Sequence, residues 1–120
     1  MKEISLKEVL VVSLVGSLGA VMRYQFRLIQ SNYPFDTLLV NLIGAFLLGV
    51  VYELRDRGKF KNKMMPVYLG AGFLGSFTTF SAMIWETVQP RLITGVPYIF
   101  ISVILGVCLA RLGRKLGERL

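Results

Sequence analysis

Residues 70–81 read GAGFLGSFTTFS and lie in the middle of an apolar run from Met64 to Trp85. This run is long enough to span the hydrocarbon core of a membrane, which requires about 20 residues in a helix. Glycine weakens a helix interior, and Ser and Thr side chains compete for backbone hydrogen bonds. Two interpretations are open: close packing of small residues in a continuous helix, or a helix interrupted inside the membrane. An interruption is tolerated only where protein buries it or it lines a cavity.

Three further apolar runs frame this segment. The chain has 120 residues, of which 54% are hydrophobic and only 18% charged, a composition that is rare in water-soluble domains of this size and indicates a membrane protein. The two runs nearest the N-terminus, which begin at Val9 and Thr37, reach the length of a membrane span if Arg23 and Glu53 lie near an interface. The pattern predicts one all-α integral membrane domain over residues 1–120, with four transmembrane helices. The further runs are Val9–Met22 with a largely apolar extension to Ile29, Thr37–Tyr52, and Leu92–Ala110.

Most enzyme and metal chemistry is excluded by composition. The chain has no histidine and a single cysteine, Cys108, so it has neither a Ser-His-Asp triad nor a Cys-His pair. We therefore expect a protein that is not an enzyme. Proton-coupled transporters keep a titratable group at membrane depth. Here all seven carboxylates lie in tails, in linkers or near the ends of spans: Glu3, Glu8, Asp36, Glu53, Asp56, Glu86 and Glu118.

The basic residues predict an orientation. In a four-span chain both termini and the second linker share one side, which carries eleven Lys and Arg residues, whereas the other side carries Arg27 and Arg91. This bias predicts cytoplasmic termini. Anionic lipid can also bind such a face. The eleven residues are Lys2, Lys7, Arg55, Arg57, Lys59, Lys61, Lys63, Arg111, Arg114, Lys115 and Arg119.

Two polar residues inside or near the spans each allow two interpretations. Arg23 is either an interfacial residue whose side chain reaches the headgroups or a fixed positive charge at the mouth of an anion path. Asn41 lies about one turn inside the second span. It is either a hydrogen-bonding contact between helices or an NH2 donor that replaces water around a small anion.

Small residues spaced four apart occur in both of the first two spans. Gly16 and Ala20 form one pair, and Ala45 and Gly49 form the other. Such pairs let helix backbones approach closely and predict helix contacts at these positions.

Three ordered segments carry a family resemblance. Residues 19–24 (GAVMRY), 37–44 (TLLVNLIG) and 72–81 (GFLGSFTTFS) resemble the Fluc/CrcB fluoride channel family, and the similarity runs through nearly the whole chain. The resemblance implies a passive, fluoride-specific channel in the bacterial plasma (inner) membrane. It also implies an antiparallel, dual-topology dimer with two pores, a third helix interrupted in the membrane, and a structural sodium ion at the dimer centre.

The resemblance further implies roles for individual residues. Backbone carbonyls of Gly75 and Thr78 would hold the sodium ion, Asn41 would line the pore, and Ser81 would open a track of hydroxyl groups. Fluoride, sodium, membrane lipid and a second subunit are the implied partners, and nucleic acid is not one. The residues so assigned to the fluoride path are Arg23, Thr37, Asn41, Phe80, Ser81, Met83, Tyr98 and Ser102.

The chain departs from the family pattern around Met83. The family usually has a second phenylalanine three residues after the one at Phe80, and often has hydroxyl residues where this chain has Ala82 and Ile84. A thioether fills a similar volume but lacks the positive edge of an aromatic ring. We therefore expect fluoride passage with an altered rate or blocker sensitivity.

Two alternatives and one conflict remain open at this point. A small four-span multidrug exporter would need a carboxylate deep in the first span, and Val9–Met22 has none. A structural membrane subunit without transport is the other alternative. The conflict is that an antiparallel homodimer requires insertion in both orientations, whereas eleven basic residues against two favour one. Either the fold overrides this bias, or the partner is an oppositely oriented homologue.

Overall fold

The computed structural model describes residues 3–26, 35–88 and 92–120, and these residues are all helical apart from short connections and ends. The outer elements are α1 (Leu6–Phe26), α2 (Phe35–Asp56) and α6 (Leu92–Arg119). Between them lies the third span, which consists of α3 (Met65–Val67), a π-helical stretch (Tyr68–Leu74), α4 (Gly75–Phe77) and α5 (Phe80–Val88). Four segments are long and apolar enough to cross a membrane, which confirms the predicted all-α membrane fold. Lys2, Arg27 and Arg91, used in the charge argument, lie outside the described residues.

Local sequence sets the ends of two helices. At the start of α1, Ser5 Oγ accepts the N–H of Glu8, and Glu8 Oε2 accepts the N–H of Ser5, which is a capping box. After α2, Gly58 has φ of 66° and the Lys59 N–H reaches back to the Leu54 carbonyl. A left-handed residue in this position closes a helix with little strain only when it is glycine.

Helix α1 packs on the third span along small residues. A β-carbon built at Gly16 would lie 3.0 Å from Ser76 Oγ, and one at Gly19 would overlap the Phe73 carbonyl oxygen. One built at Gly72 would lie 3.5 Å from the Val12 carbonyl oxygen. Because contacts on both segments advance together along the chain, α1 and the third span run in the same direction.

Helices α2 and α6 form the second close pair. β-Carbons at Gly49 and Gly113 would overlap the carbonyl oxygens of Ala110 and Phe46, respectively. Beyond these contacts, Arg114 on α6 donates to Glu53 Oε2 at 3.1 Å and to Asp56 Oδ2 at 2.8 Å. The carboxyl ends of α2 and α6 therefore lie together, as alternating insertion of four spans requires.

The third span is interrupted, as predicted, but only over two residues. Thr78 is extended, with ψ of 159°, and α5 begins at Phe80. The glycine-rich part before it, which we expected to contribute to the unwinding, remains wound as a π-helix and a short α-helix. The N–H of Gly75 reaches back five residues to the Gly70 carbonyl, so the wider π turns retain backbone hydrogen bonds there.

The core within a single chain is small. Phe77 is 2% exposed and packs edge-to-face on Phe26 and stacked on Phe73, with ring centroids 5.8 and 5.9 Å away. Val40, Val51 and Leu74 complete the buried cluster. Many of the other described apolar side chains are exposed on the outer surface of the bundle, where lipid or another subunit can cover them.

Candidate functional site

A groove of about 490 Å³ runs between α2 and the third span and is open to the outside of the chain. Its lining is mostly small and apolar, and Asn41, Thr78 and Thr79 contribute polar groups. Phe80 and Met83, both predicted for the fluoride path, line the same groove. We call this cavity the break groove, because the interruption of the third span forms part of its wall.

The side-chain amide of Asn41 is paired with the backbone of Thr79. Asn41 Nδ2 donates to the Thr79 carbonyl at 2.9 Å, and the Thr79 N–H donates to Asn41 Oδ1 at 2.8 Å. The two bonds satisfy both polar groups of a residue that lies outside any helix, as a membrane interior demands. The contact between helices considered for Asn41 is therefore present. One hydrogen of the NH2 group remains for a ligand.

These bonds remove helical donors from the two carbonyls predicted to hold a cation. In a continuous helix the Thr79 N–H would donate to the Gly75 carbonyl, but here it donates to Asn41. Likewise the N–H of Ala82, four residues after Thr78, donates to Thr79 Oγ1 at 3.2 Å. Both carbonyls are thereby released from the α-helical hydrogen-bond pattern, one by Asn41 and one by the Thr79 side chain.

The Thr78 side chain secures the preceding helical turn. Its hydroxyl donates to the Leu74 carbonyl at 2.9 Å, and its methyl group lies against Gly44. Gly44 is three residues after Asn41, so both lie on one face of α2. Asn41 and Gly44 together contact the two interrupted residues.

The other predicted path residues lie in different surroundings. Phe80 is 71% exposed at the start of α5, next to the exposed Ser81, whereas Met83 is 5% exposed. Met83 thus packs within the chain. Ser81 is not part of the lining of the break groove in the described residues. Its assignment to the fluoride path stays a prediction.

The hydroxyl of Ser102 is directed along its own helix. Ser102 is buried and donates to the Tyr98 carbonyl at 2.7 Å, so its only proton is engaged. Thr37 is buried in α2, and Arg23 lies partly exposed in the last turn of α1. Within the described part of the chain, the lining of the break groove does not include Arg23, Thr37, Tyr98 or Ser102. The pore roles of these four residues stay predictions.

Side chains that usually bind metals are not clustered. Among the described residues, no group of three or more His, Cys, Asp and Glu residues is placed to hold an ion. Gly75 and Thr78, whose carbonyls are released from the helical hydrogen-bond pattern, both line the break groove. Carbonyl oxygen suits a hard cation such as sodium, calcium or magnesium.

Comparison with known families matches residues 10–114 to the family described as CrcB-like protein, Camphor Resistance (CrcB). The chain belongs to the CrcB family. Similar proteins include the fluoride-specific ion channel FluC of Oceanobacillus iheyensis, which is 36% identical over 119 residues covering 93% of this chain and 92% of that protein. Those of Dehalococcoides mccartyi and Shewanella woodyi are 34% and 38% identical, covering 94% and 96% of each chain.

Membership of the CrcB family confirms the resemblance carried by the three sequence segments. With four apolar helices, it also confirms a multi-pass membrane protein, located in bacteria in the inner membrane. The similar proteins are named ion channels rather than enzymes, in keeping with the expectation from composition.

Sequence reasoning did not assign a role to Thr79 in this CrcB chain. Thr79 precedes α5, and its side-chain oxygen accepts the N–H of Ala82 three residues later. This is the geometry of a helix N-cap. Since the oxygen acts as acceptor, the hydroxyl proton remains for another partner. The sequence signal that could have identified this N-cap is a threonine directly before an apolar helical segment.

Proposed function

We propose that this chain forms a passive channel for fluoride. Three similar proteins at 34–38% identity, which cover nearly the whole chain, are named fluoride-specific channels. The single structural observation that supports the proposal most is the pairing of Asn41 with Thr79 in the break groove. It fixes the Asn41 amide, which has a second hydrogen, and the backbone of Thr79, whose hydroxyl oxygen accepts the Ala82 N–H. Thr79 belongs to the third apolar run, residues 64–85, which carries no acid, and Asn41 contacts it.

Oriented donors are what a dehydrating fluoride ion requires. Moving a bare ion into an apolar medium costs tens of kcal/mol on a Born estimate. The amide of Asn41, the hydroxyl of Thr79 and the positive ring edge of Phe80 each offset part of that cost. Among the described residues, Tyr52 is the only titratable side chain in the groove lining, so the proposed passage needs no carboxylate that changes its charge.

We also propose sodium at the carbonyls of Gly75 and Thr78. The residues fit the ion, because both carbonyls lack their usual helical donors and both residues line the same groove. A bound sodium ion would supply positive charge that offsets a nearby anion. Asn41 and Thr79 keep the carbonyls available by holding the competing N–H groups.

A second subunit would complete this cation site. One chain offers two carbonyls, and hard cations collect more oxygen ligands than two. The groove is open and Phe80 is exposed beside it, so an antiparallel partner could cover both. The partner is either a second copy or an oppositely oriented homologue. Labelling a cysteine placed at Leu120, in a Cys108→Ser background, would distinguish them: one-sided labelling in cells excludes the homodimer.

Anionic lipid is the proposed partner of the basic end of α6. Arg111, Lys115 and Arg119 are exposed and recur every four residues along one face, with exposed Leu112 and Leu116 beside them. Glu118 lies near the same face. At the end of a span, such a row matches the headgroups and acyl chains of anionic lipid.

Fluoride efflux from liposomes containing the purified protein tests the main proposal. We expect wild-type protein to release fluoride without coupled proton movement, and chloride far more slowly. Substrate-coupled proton movement would favour the exporter, and the absence of any flux would favour a structural subunit.

A further inference from the structure

We propose that Asn41 and Gly44 form a seat on α2 that sets the affinity of the cation site. In this view Asn41 is a positioning residue for the cation, acting through Thr79, in addition to lining the fluoride path. The inference deepens the proposed function and rests on cation binding by the carbonyls of Gly75 and Thr78. We call the two residues the α2 seat.

The first step is a competition for one backbone hydrogen. The N–H of Thr79 can donate to either of two acceptors. In a continuous helix the acceptor would be the Gly75 carbonyl, and in the interrupted span it is Asn41 Oδ1. This N–H donates to Asn41 at 2.8 Å. If Asn41 lost its acceptor, the N–H would be free to return to the Gly75 carbonyl, because an unpaired donor within the membrane is costly. The cation would then compete with a hydrogen bond for that oxygen.

Gly44 favours the hydrogen bond from the Thr79 N–H to Asn41 over the one to the Gly75 carbonyl. It leaves room for the Thr78 methyl group, and a β-carbon at position 44 would overlap that methyl. The close approach brings the backbone of Thr79 within reach of the Asn41 amide one turn away. A larger residue at 44 would move Thr78 and Thr79 away from α2 and lengthen both bonds to Asn41.

Two substitutions at position 41 separate this role from a general loss of stability. Asn41→Ala removes the acceptor for the Thr79 N–H. Asn41→Asp keeps an oxygen acceptor there, removes the donor to the Thr79 carbonyl and adds a negative charge, which attracts a cation and repels an anion. The seat therefore predicts that alanine weakens cation binding, whereas aspartate preserves or strengthens it while slowing fluoride.

The test is sodium-dependent thermal unfolding of the purified full-length protein in detergent. Unfolding is followed by the fluorescence of Trp85, the only tryptophan. Sodium chloride replaces N-methylglucamine chloride at constant ionic strength. The sodium concentration that half-saturates the site, its apparent dissociation constant, is fitted from the logarithmic rise in midpoint with sodium. We expect Asn41→Ala and Gly44→Ala to raise that concentration by about tenfold or more, a factor that one lost hydrogen bond can account for. Asn41→Asp should show a half-saturating concentration at or below that of wild type, because its carboxylate keeps the acceptor and attracts the cation.

Gly106→Ala is the matched control, because a β-carbon there meets nothing within 4 Å. If sodium stabilises the wild type and all position-41 and position-44 variants with the same half-saturation, the seat is refuted and the channel proposal stands. If sodium has no effect on the wild type, the proposed cation site itself fails. Should Asn41→Ala not fold, the comparison of Gly44→Ala with Gly106→Ala decides alone.

Discussion

The methyl group of Thr78 lies directly against Gly44, so closely that a β-carbon on residue 44 would overlap it. This contact joins α2 to the one place where the third span leaves helical geometry. The same turn of α2 carries Asn41, whose amide is bonded to both backbone polar groups of Thr79. The interruption is therefore held by the neighbouring helix.

Asn41→Asp should slow fluoride efflux from liposomes strongly. The substitution puts a negative charge into the break groove, and like charges about 4 Å apart repel by several kcal/mol near a protein surface. We expect a decrease of at least about tenfold. Asn62→Asp, at an exposed position in the linker, is the matched control and should leave efflux unchanged. Equal rates for Asn41→Asp and wild type would refute a pore position for Asn41.

Thr79→Val should reduce efflux, and Thr79→Ser should largely preserve it. Valine keeps the shape of threonine but removes both the N-cap to Ala82 and the hydroxyl proton. Loss of an N-cap also lowers stability by about 1 kcal/mol. Thermal unfolding and efflux are measured on both variants. If efflux through the valine variant matches that through the serine variant, Thr79 is not a fluoride donor.

Gly113→Ala should destabilise the protein through the contact between α2 and α6. The added methyl would overlap the Phe46 carbonyl, and overpacking of this kind costs roughly 1–3 kcal/mol. Gly106→Ala, on the same helix with open space around it, should be neutral or slightly stabilising. Unfolding in detergent, followed by Trp85 fluorescence, compares the two. Similar midpoints would contradict the close packing of α2 on α6.

Neutralising the basic row of α6 should reduce stabilisation by anionic lipid. Replacing Arg111, Lys115 and Arg119 with glutamine removes the row and leaves the ion pairs of Arg114 intact. The control replaces Lys59, Lys61 and Lys63, which lie in the linker after α2. We expect phosphatidylglycerol to raise the unfolding midpoint of wild type and control more than that of the row variant. If both triple variants lose the same part of the lipid-induced rise in midpoint, the effect of charge is nonspecific.

Much of the fold follows from sequence because membrane spans depend on composition and length. The four apolar runs correspond to four helices, and Gly16 and Gly49, singled out for their spacing, both lie at close helix contacts. The density of glycine, serine and threonine left a continuous helix and an interrupted one both open, and the family resemblance implied the interruption. Its confinement to Thr78 and Thr79 was not predicted, because the π-helical stretch keeps the glycines hydrogen-bonded.

The candidate site was only partly predictable for a different reason. The pairing of Asn41 with Thr79 joins residues 38 positions apart, so it depends on tertiary packing that no local pattern encodes. Ser102 illustrates the converse: the family resemblance implied a place on the fluoride path, which stays a prediction, and its proton bonds to the Tyr98 carbonyl one turn earlier. A serine's residue type does not determine which acceptor it uses.

The pairing of α1 with the third span and of α2 with α6 affects the order of assembly during synthesis. The first two helices to leave the ribosome are not each other's main partners, because their glycine surfaces meet segments that are made later. α1 meets its main partner once the third span is translated, whereas α2 contacts that span through Asn41 and Gly44 and meets its closest partner with the last helix. Folding is therefore interleaved rather than a succession of hairpins, and a nascent chain stopped before α6 exposes the surface around Gly49 to whatever else the bilayer contains.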